Sequence, residues 1–337
     1  MKVVRTDAEI ELPRVDGGLR DAGVKLVLLP GAVACDDLAS ALQDADLILM
    51  CYTKITAQAI DRALQLRGIV KYGVGIDAVD VDAARRRRIP VVNIPEYAEE
   101  TVAEGAIALM LALAKRFKPL QREMDTRGWA WPTARWLAAD LAGKTLGLVG
   151  VGRIGANVAR MAGNGLRMKV LGFDPYVGAE QMTRLGVEKR DDLHPMLAEC
   201  DVVSLHAVLT PETRHILGPR ELESMKPSAF VVNVSRGALV DEAALLRALQ
   251  ERRIAGAALD VYVDEPLAKS AHPLSPLYAM DNVMLWPHLT FYTAEAMRRL
   301  EDETLERCFE VLEGRPVLVK SRDPRLRAQS AGVRFAD

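Results

Sequence analysis

Residues 146–155 read Leu-Gly-Leu-Val-Gly-Val-Gly-Arg-Ile-Gly, an apolar strand running straight into a glycine-rich turn. The spacing Gly150-x-Gly152-x-x-Gly155 leaves few folds open. Gly150 permits the tight turn, Gly152 lets a pyrophosphate approach the backbone, and Gly155 lets the next helix pack closely on the strand. A helical segment, Arg153 to Gly163, follows, and its first N–H groups and positive dipole end suit phosphates. Arg153 and Ile154 belong to the same cofactor loop. A second strand, Lys169–Phe173, ends in Asp174, roughly 20 residues past the last glycine, where a carboxylate hydrogen-bonds the adenosine ribose hydroxyls. A carboxylate there repels a 2′-phosphate, so the expected cofactor is NAD rather than NADP. The alternative, a turn of no function with an incidental Asp, conflicts with the strand–turn–helix context.

Half of the 337 residues are hydrophobic and 27% are charged, which supports two buried cores and excludes a disordered chain. A net charge of −2 gives no broad pull toward nucleic acid or membrane. The one dense basic run, Arg85–Arg88, reads as a solvated helix end. The four cysteines are scattered and form no metal-like group with the five histidines; no metal is expected, and free thiols suit a reducing cytoplasm. Arg5, Asp7, Glu9 and Glu11 interrupt any signal-peptide core, and the apolar run Gly105–Ala114 is too short to span a bilayer. A soluble, cytoplasmic protein is expected.

Two α/β series follow one another along the chain. Strands at Lys2–Thr6, Lys25–Leu29, Leu47–Tyr52, Ile69–Tyr72 and Pro90–Ile94 alternate with helices at Cys35–Gln43, Thr56–Leu64 and Val81–Arg88. Strands at Thr145–Val149, Lys169–Phe173, Val202–His206, Phe230–Val234, Gly256–Leu259 and Val283–Trp286 form the second series. Such alternation indicates parallel sheets covered on both faces. The expected fold class is α/β with two doubly wound parallel-sheet domains, one flavodoxin-like and one Rossmann-like. A long helix is expected from Glu99 to about Arg127, opened by Thr101 with Glu104 at capping-box spacing. The last helix, Thr293–Leu312, brings no new strand series and is expected to return to the first domain. Residues 1–99 plus 288–337 then form a discontinuous substrate domain, and 100–287 the NAD-binding domain. The polar tail after Ser321 is expected to be loosely ordered.

Three further clusters stand at strand ends of the second series, where α/β proteins place their ligands. Asn233-Val-Ser-Arg236-Gly237 follows one strand, Asp260 to Pro266 another, and Trp286-Pro287-His288 the last. An arginine fork past a strand end can hold a carboxylate in two parallel hydrogen bonds. Histidine, as a side-chain type, titrates near neutral pH and serves as an acid–base group. A carboxylate on its far nitrogen fixes the tautomer, and Glu265 is the candidate. Taken singly, Arg236 reads as a surface ion pair, His288 as a helix cap and Glu265 as a solvated acid; at three successive strand ends opposite a dinucleotide loop, those readings lose their force.

These motifs resemble the D-isomer-specific 2-hydroxyacid dehydrogenases over nearly the whole chain. Lys71-Tyr-Gly-Val74-Gly75-Ile-Asp77 is similar to the family loop whose backbone N–H groups share the substrate carboxylate with the arginine. Thr101-Val-Ala-Glu104 resembles the motif that opens the long helix, with Thr101 near the cofactor, and Met225 to Gly237 resembles the family signature. The resemblance implies that Arg236 binds carboxylate, Glu265 orients the imidazole and His288 is the acid–base, with Asp260 near the nicotinamide amide. It places His206, Ala207, Thr210, Val234 and Ser235, with Arg236 and His288, at the cofactor. It also implies an active site in the cleft between the domains, closure that excludes water, a small 2-hydroxy or 2-keto acid substrate and a homodimer. Tyr52, in Cys51-Tyr52-Thr53-Lys54, is a specificity candidate.

Several positions depart from the family pattern. Leu289-Thr-Phe291-Tyr292-Thr stands where a small, glycine-containing stretch is common. The two aromatics narrow the pocket, stack on a larger substrate, or pack under the loop. Val208 replaces a frequent proline, and the segment from Glu265 to His288, which includes His272, is longer than usual. Trp129, Trp131 and Trp136 fall in an interdomain or interface loop. Formate dehydrogenases share the scaffold but pair the histidine with Gln, whereas an Arg–Glu–His set also serves phosphite oxidation. An NAD-sensing corepressor-like protein is the non-enzyme alternative, since fold does not dictate function. The particular acid, from glyoxylate and hydroxypyruvate to 3-phosphoglycerate or aromatic 2-keto acids, is left open; with no added regulatory domain in this sequence phosphoglycerate is the less expected substrate, though short forms of such enzymes exist.

Overall fold

Short aliphatic runs, buried on both faces in the central strands, mark the sheets of the computed structural model, which describes residues 1–336. In the N-terminal part β1 (Lys2–Arg5), β2 (Lys25–Leu28), β3 (Leu47–Met50), β4 (Gly68–Lys71) and β5 (Val91–Asn93) pair in parallel in the order β2-β1-β3-β4-β5. Every residue of β3, Leu-Ile-Leu-Met, is buried, as expected of a strand covered on both sides. The order reverses between β1 and β3, which makes a switch point at their C-terminal ends. Asp7 ties that edge together. Its carboxylate accepts the N–H of Cys51 (2.9 Å) and of Thr53 (3.0 Å) and the Thr53 hydroxyl, while the Tyr72 hydroxyl donates to the Thr6 carbonyl.

The second sheet holds β6 (Thr145–Val149), β7 (Lys169–Phe173), β8 (Glu188–Lys189), β9 (Val202–Leu205), β10 (Phe230–Asn233), β11 (Gly256–Leu259) and β12 (Val283–Leu285). They run parallel in the order β12-β11-β10-β9-β6-β7-β8, with the switch point between β6 and β9. This is the doubly wound dinucleotide-binding order with one added edge strand. The two-residue β8 is too short to leave a periodic signal in sequence.

The chain divides into Met1–Ala98 with the residues from Thr293 on, and Glu99–Tyr292. Residues 288–292 thus stay with the second unit, later than the crossing expected at 287/288. Asp260 holds them there, accepting the N–H groups of Leu289 (2.9 Å) and Thr290 (3.2 Å).

Two further expectations are corrected. The long helix is two helices, Glu99–Ala114 and Phe117–Arg127, broken at Arg116, which adopts a left-handed φ of 56°. Pro119 lacks an N–H to donate back to Lys115, so an unbroken helix would lose a bond there, whereas in a first turn it loses nothing. At the other end Thr101 lies inside the first turn, buried, and does not cap it.

The tail is also ordered. After the helix Ala294–Leu312, which packs on β3, β4 and the helix Pro13–Asp21, β13 (Val317–Val319) pairs with β14 (Val333–Phe335). Between them Gln329, 6% exposed, exchanges two hydrogen bonds with the backbone of Val91 on the sheet edge (2.7 and 2.9 Å). That amide satisfies edge groups which would otherwise template further pairing. Among the described residues no helix is long and apolar enough to cross a membrane.

Candidate functional site

The glycine turn behaves as its spacing requires. Gly150 has φ +92°, and a Cβ there would lie 2.6 Å from the Ala207 nitrogen; one on Gly155 would lie 2.3 Å from the Gly150 carbonyl oxygen. Only close backbone packing explains those two. Gly152, the N-cap of the helix Arg153–Arg160, has nothing within 4 Å of where its Cβ would be, which is the room a pyrophosphate needs at a helix N-terminus. Asp174 at the end of β7 accepts the N–H of Val151 (2.9 Å) and of Tyr176 (2.9 Å). Each carboxylate oxygen keeps a lone pair for a ribose hydroxyl. The residues present therefore fit a dinucleotide.

Around that turn, Arg153 pairs with Glu99 at 3.2 Å, Ile154 is half-buried and Thr101 is buried. The loop after β9 faces it across the switch point. His206 bonds Ser204 Oγ at 2.8 Å, and burial pushes its pKa down to about 4, leaving a neutral ring at pH 7. Its Nδ1 is buried with no partner among the described residues. Ser235 Oγ donates to the Ala207 carbonyl at 2.7 Å, Thr210 N–H to Thr213 Oγ1 at 2.7 Å, and Val234 is buried.

The loops after β10, β11 and β12 are knitted to one another. Gly237 abuts the loop after β11, where a Cβ would come within 2.3 Å of the Val263 nitrogen. Tyr262 Oη donates to the carbonyls of Leu259 (3.0 Å) and Trp286 (2.9 Å). Glu265 splits its carboxylate: Oε1 accepts the Tyr262 N–H at 2.9 Å, and Oε2 lies 2.8 Å from His288 Nδ1. Burial pushes the Glu265 carboxyl up, but the hydrogen bond and charge of His288, the Tyr262 N–H and the charge of Arg236 outweigh it, so its pKa lies below the usual value. An ionised Glu265 makes His288 Nδ1 the donor in that bond. Arg236 donates to the Ser235 carbonyl at 2.7 Å.

Asp260 is fully buried, and it accepts from Thr290 Oγ1 as well as from the two N–H groups after His288. Sequence reasoning set Asp260 at a ligand and missed this bracing. Its signal was an acid at a strand end one loop before another. Of the aromatic pair, Phe291 is buried beside His288, edge-on at 6.3 Å, while Tyr292 is 47% exposed. His272 bridges its own loop through Asp264 and Leu274. Trp129 and Trp131 are exposed and pack edge to face at 6.1 Å, which excludes a core role; Trp136 is half-buried against Arg135. In the first unit, Tyr52 and Val74 are exposed, Gly75 is half-buried, and the Val74 carbonyl accepts from Asn93 Nδ2.

Residues 107–290 match the family model of the NAD-binding domain of D-isomer specific 2-hydroxyacid dehydrogenases. The chain belongs to that family. A glyoxylate reductase of Korarchaeum cryptofilum is 40% identical over 284 residues, covering 84% of this chain and 81% of the relative. A D-3-phosphoglycerate dehydrogenase of Methanocaldococcus jannaschii is 39% identical, covering 83% of this chain and 52% of the relative; the chain spans about half the length of such curated relatives. Among solved structures, the D-lactate dehydrogenase of Aquifex aeolicus in complex with NAD and lactic acid has a TM-score of 0.83 at 31% identity, covering 93% of this chain and 96% of that one. Membership makes a nicotinamide dinucleotide the cofactor, and the glycine turn, Asp174 and the loop after β9 are the residues that would hold it.

Proposed function

We propose that the protein interconverts a D-2-hydroxy acid and its 2-keto acid with NAD. The observation that carries this reading is the Glu265–His288 pair at 2.8 Å, on a loop braced by Asp260. Bound NADH supplies the hydride to the carbonyl carbon, and NAD takes it back in the reverse direction. His288 Nε2 gives a proton to the nascent alkoxide during reduction and accepts it during oxidation. Ionised Glu265 stabilises the imidazolium and holds the ring in orientation, a task worth orders of magnitude in comparable pairs. Arg236 holds the substrate carboxylate. Tyr292, an exposed aromatic, contacts the rest of the acid. Asp174 selects NAD by charge. The exposed Trp129 and Trp131 suit a covered surface in a homodimer, in the cytoplasm.

The test is NADH oxidation, with NADPH alongside, on a panel of 2-keto acids from glyoxylate and hydroxypyruvate to phenylpyruvate. Turnover with NADH is expected, and His288→Ala should lower kcat by about 10³-fold while NADH still binds. NADH binding without turnover on any acid would overturn the reading.

A further inference from the structure

Inside the first unit a thiol and an amine meet. Cys51 comes directly after β3, and Lys71 is the last residue of β4. The two strands are parallel neighbours with Met50 opposite Lys71, and the Tyr72 N–H donates to the Met50 carbonyl at 3.0 Å. The two side chains converge, and Lys71 Nζ lies 3.1 Å from Cys51 Sγ. Both are buried, at 6% and 5% exposure. Neither is loosely held. The Cys51 N–H donates to the Asp7 carboxylate at 2.9 Å. The lysine nitrogen lies 5.4 Å from the centre of the Tyr52 ring and 2.8 Å from where a Cβ on Gly73 would stand. All four cysteines are free, and their settings differ: Cys35 is exposed, while the Cys200 thiol donates to the Met196 carbonyl at 3.0 Å.

A sulfur in contact with an amine has an oxidation route that an isolated thiol lacks. Peroxide turns a thiol into a sulfenic acid, which is then trapped by a thiol or a nitrogen, or is oxidised further. Burial of Cys51 admits hydrogen peroxide but not glutathione or a thiol of another protein. The trapping group is therefore the neighbour already in place, the Lys71 nitrogen. Reacting atoms held at about 3–3.5 Å combine in an effectively unimolecular step. A direct sulfur–nitrogen bond would require the two atoms to approach far more closely than they do. One bridging oxygen needs only a small movement of the flexible lysine end, because two single bonds at a bent oxygen span slightly less than the separation present.

We propose that Cys51 and Lys71 are a modification site, where hydrogen peroxide forms a covalent S–O–N bridge between the ends of β3 and β4. The first peroxide gives one oxygen to the sulfur, its O–O bond breaks, and water leaves. The sulfenic O–H and one amine N–H are then lost as the O–N bond forms, and a second peroxide takes those two electrons and two protons to become two waters. One thiol, one amine and two peroxides thus give one bridge and three waters. The sum is the same for a thiolate beside an ammonium, since that pair holds the same three protons. Two molecules of a dithiol reverse it, restoring thiol and amine, releasing the oxygen as water and leaving two disulfides. The bridge closes a loop across 20 positions, which restrains the unfolded chain. This site is independent of the oxidoreduction proposed above.

The experiment treats the folded full chain with graded hydrogen peroxide, stops the reaction with catalase, and maps the tryptic peptides by mass spectrometry. The exposed Cys35 is changed to Ser throughout, which leaves Cys51 the only thiol of the peptide 26–54. A bridged Lys71 is not cut by trypsin, so 26–54 is expected joined to 68–85. The joined mass should exceed the sum of the two peptides by about 14 Da, one oxygen gained and two hydrogens lost. Dithiothreitol should abolish the joined species and restore cleavage after Lys71. Cys51→Ser and Lys71→Arg should give no joined species, and in Lys71→Arg the sulfur should pass on to sulfinic acid. The melting temperature of the bridged chain should rise by about 4–8 °C. Four outcomes overturn the proposal. They are a Cys51 that stays a thiol or reaches sulfinic acid while trypsin still cuts after Lys71, and a joined species lighter than the sum by about 2 Da, which is a direct sulfur–nitrogen bond. The others are a joined species that survives dithiothreitol, and a fall in melting temperature, which would place the reaction in the unfolded chain.

Discussion

The two sheets manage their C-terminal edges with the same device and to different ends. At the first sheet, Asp7 spends its carboxylate on the N–H groups of Cys51 and Thr53 and on hydroxyls. Nothing is left over, and the result is a rigid edge. At the second sheet the work is divided between two acids. Asp260 is fully buried and anchors the next loop through both oxygens, on Leu289 and Thr290. Glu265 is half anchor and half instrument, with one oxygen on the Tyr262 N–H and the other on His288. A carboxylate that accepts backbone N–H groups holds a loop as a short brace, and it can orient a titratable partner only if one oxygen is released from bracing.

The largest test of that division is Glu265→Gln. A glutamine can still accept the Tyr262 N–H, so the loop should hold and the melting temperature should move by no more than a few degrees. The amide cannot carry the negative charge that stabilises a protonated His288, and kcat should fall by roughly 10²–10³-fold. A large loss of stability with unchanged kcat would show Glu265 to be a brace like Asp260, and the contrast would collapse.

What could be seen in sequence follows the same divide. The glycine spacing at 150–155 and the acids and bases just past strands β10 to β12 were legible because a strand end fixes where the next few side chains go. Strands β3 and β9 were legible because both faces are buried and their runs are apolar, broken only by Ser204 in β9. The bracing was not, because it depends on which loops meet. Asp260 reaches a loop 29 and 30 positions on, and Gln329 reaches Val91 from the far end of the chain. The break at Arg116 gave no glycine to mark it; the only sign was Pro119. Lys71 was read as part of a loop motif, since its burial is a property of the fold.

A smaller effect separates the two pure anchors. In Asp260→Asn and Asp7→Asn an amide NH2 must face an N–H that the carboxylate accepted, and each change should cost about 1–3 kcal/mol of stability in denaturant titration. Their activities should differ. Asp260→Asn loosens the loop that begins at His288 and should lower kcat by about tenfold or more, as misplacement of an acid–base group does. Asp7→Asn loosens the loop of Cys51 and Tyr52 and should raise KM for the acid while kcat stays within about twofold. Equal falls in kcat would mean that the anchors do not act locally.

The smallest effect concerns His206, which lies on the loop that faces the glycine turn. Burial lowers its pKa to about 4 in the folded chain, against an ordinary value near 6.5 in the unfolded one. Between those values the unfolded chain binds the extra proton, so stability must fall as pH drops from about 6.5 to 4 and level off below. Partial access of the ring to solvent discounts the full difference, and a total of about 2–3 kcal/mol is expected. His206→Asn cannot take up that proton and should flatten this part of the stability profile, measured by denaturant titration at a series of pH values. Glu265 acts in a lower window, because its folded pKa lies below that of an unfolded carboxylate, so its contribution is lost only as pH falls below about 4.3. An unchanged slope in His206→Asn would show that the ring is hydrated and protonates in place, which would make the loop after β9 a softer wall for the dinucleotide than the knitted loops after β10 to β12.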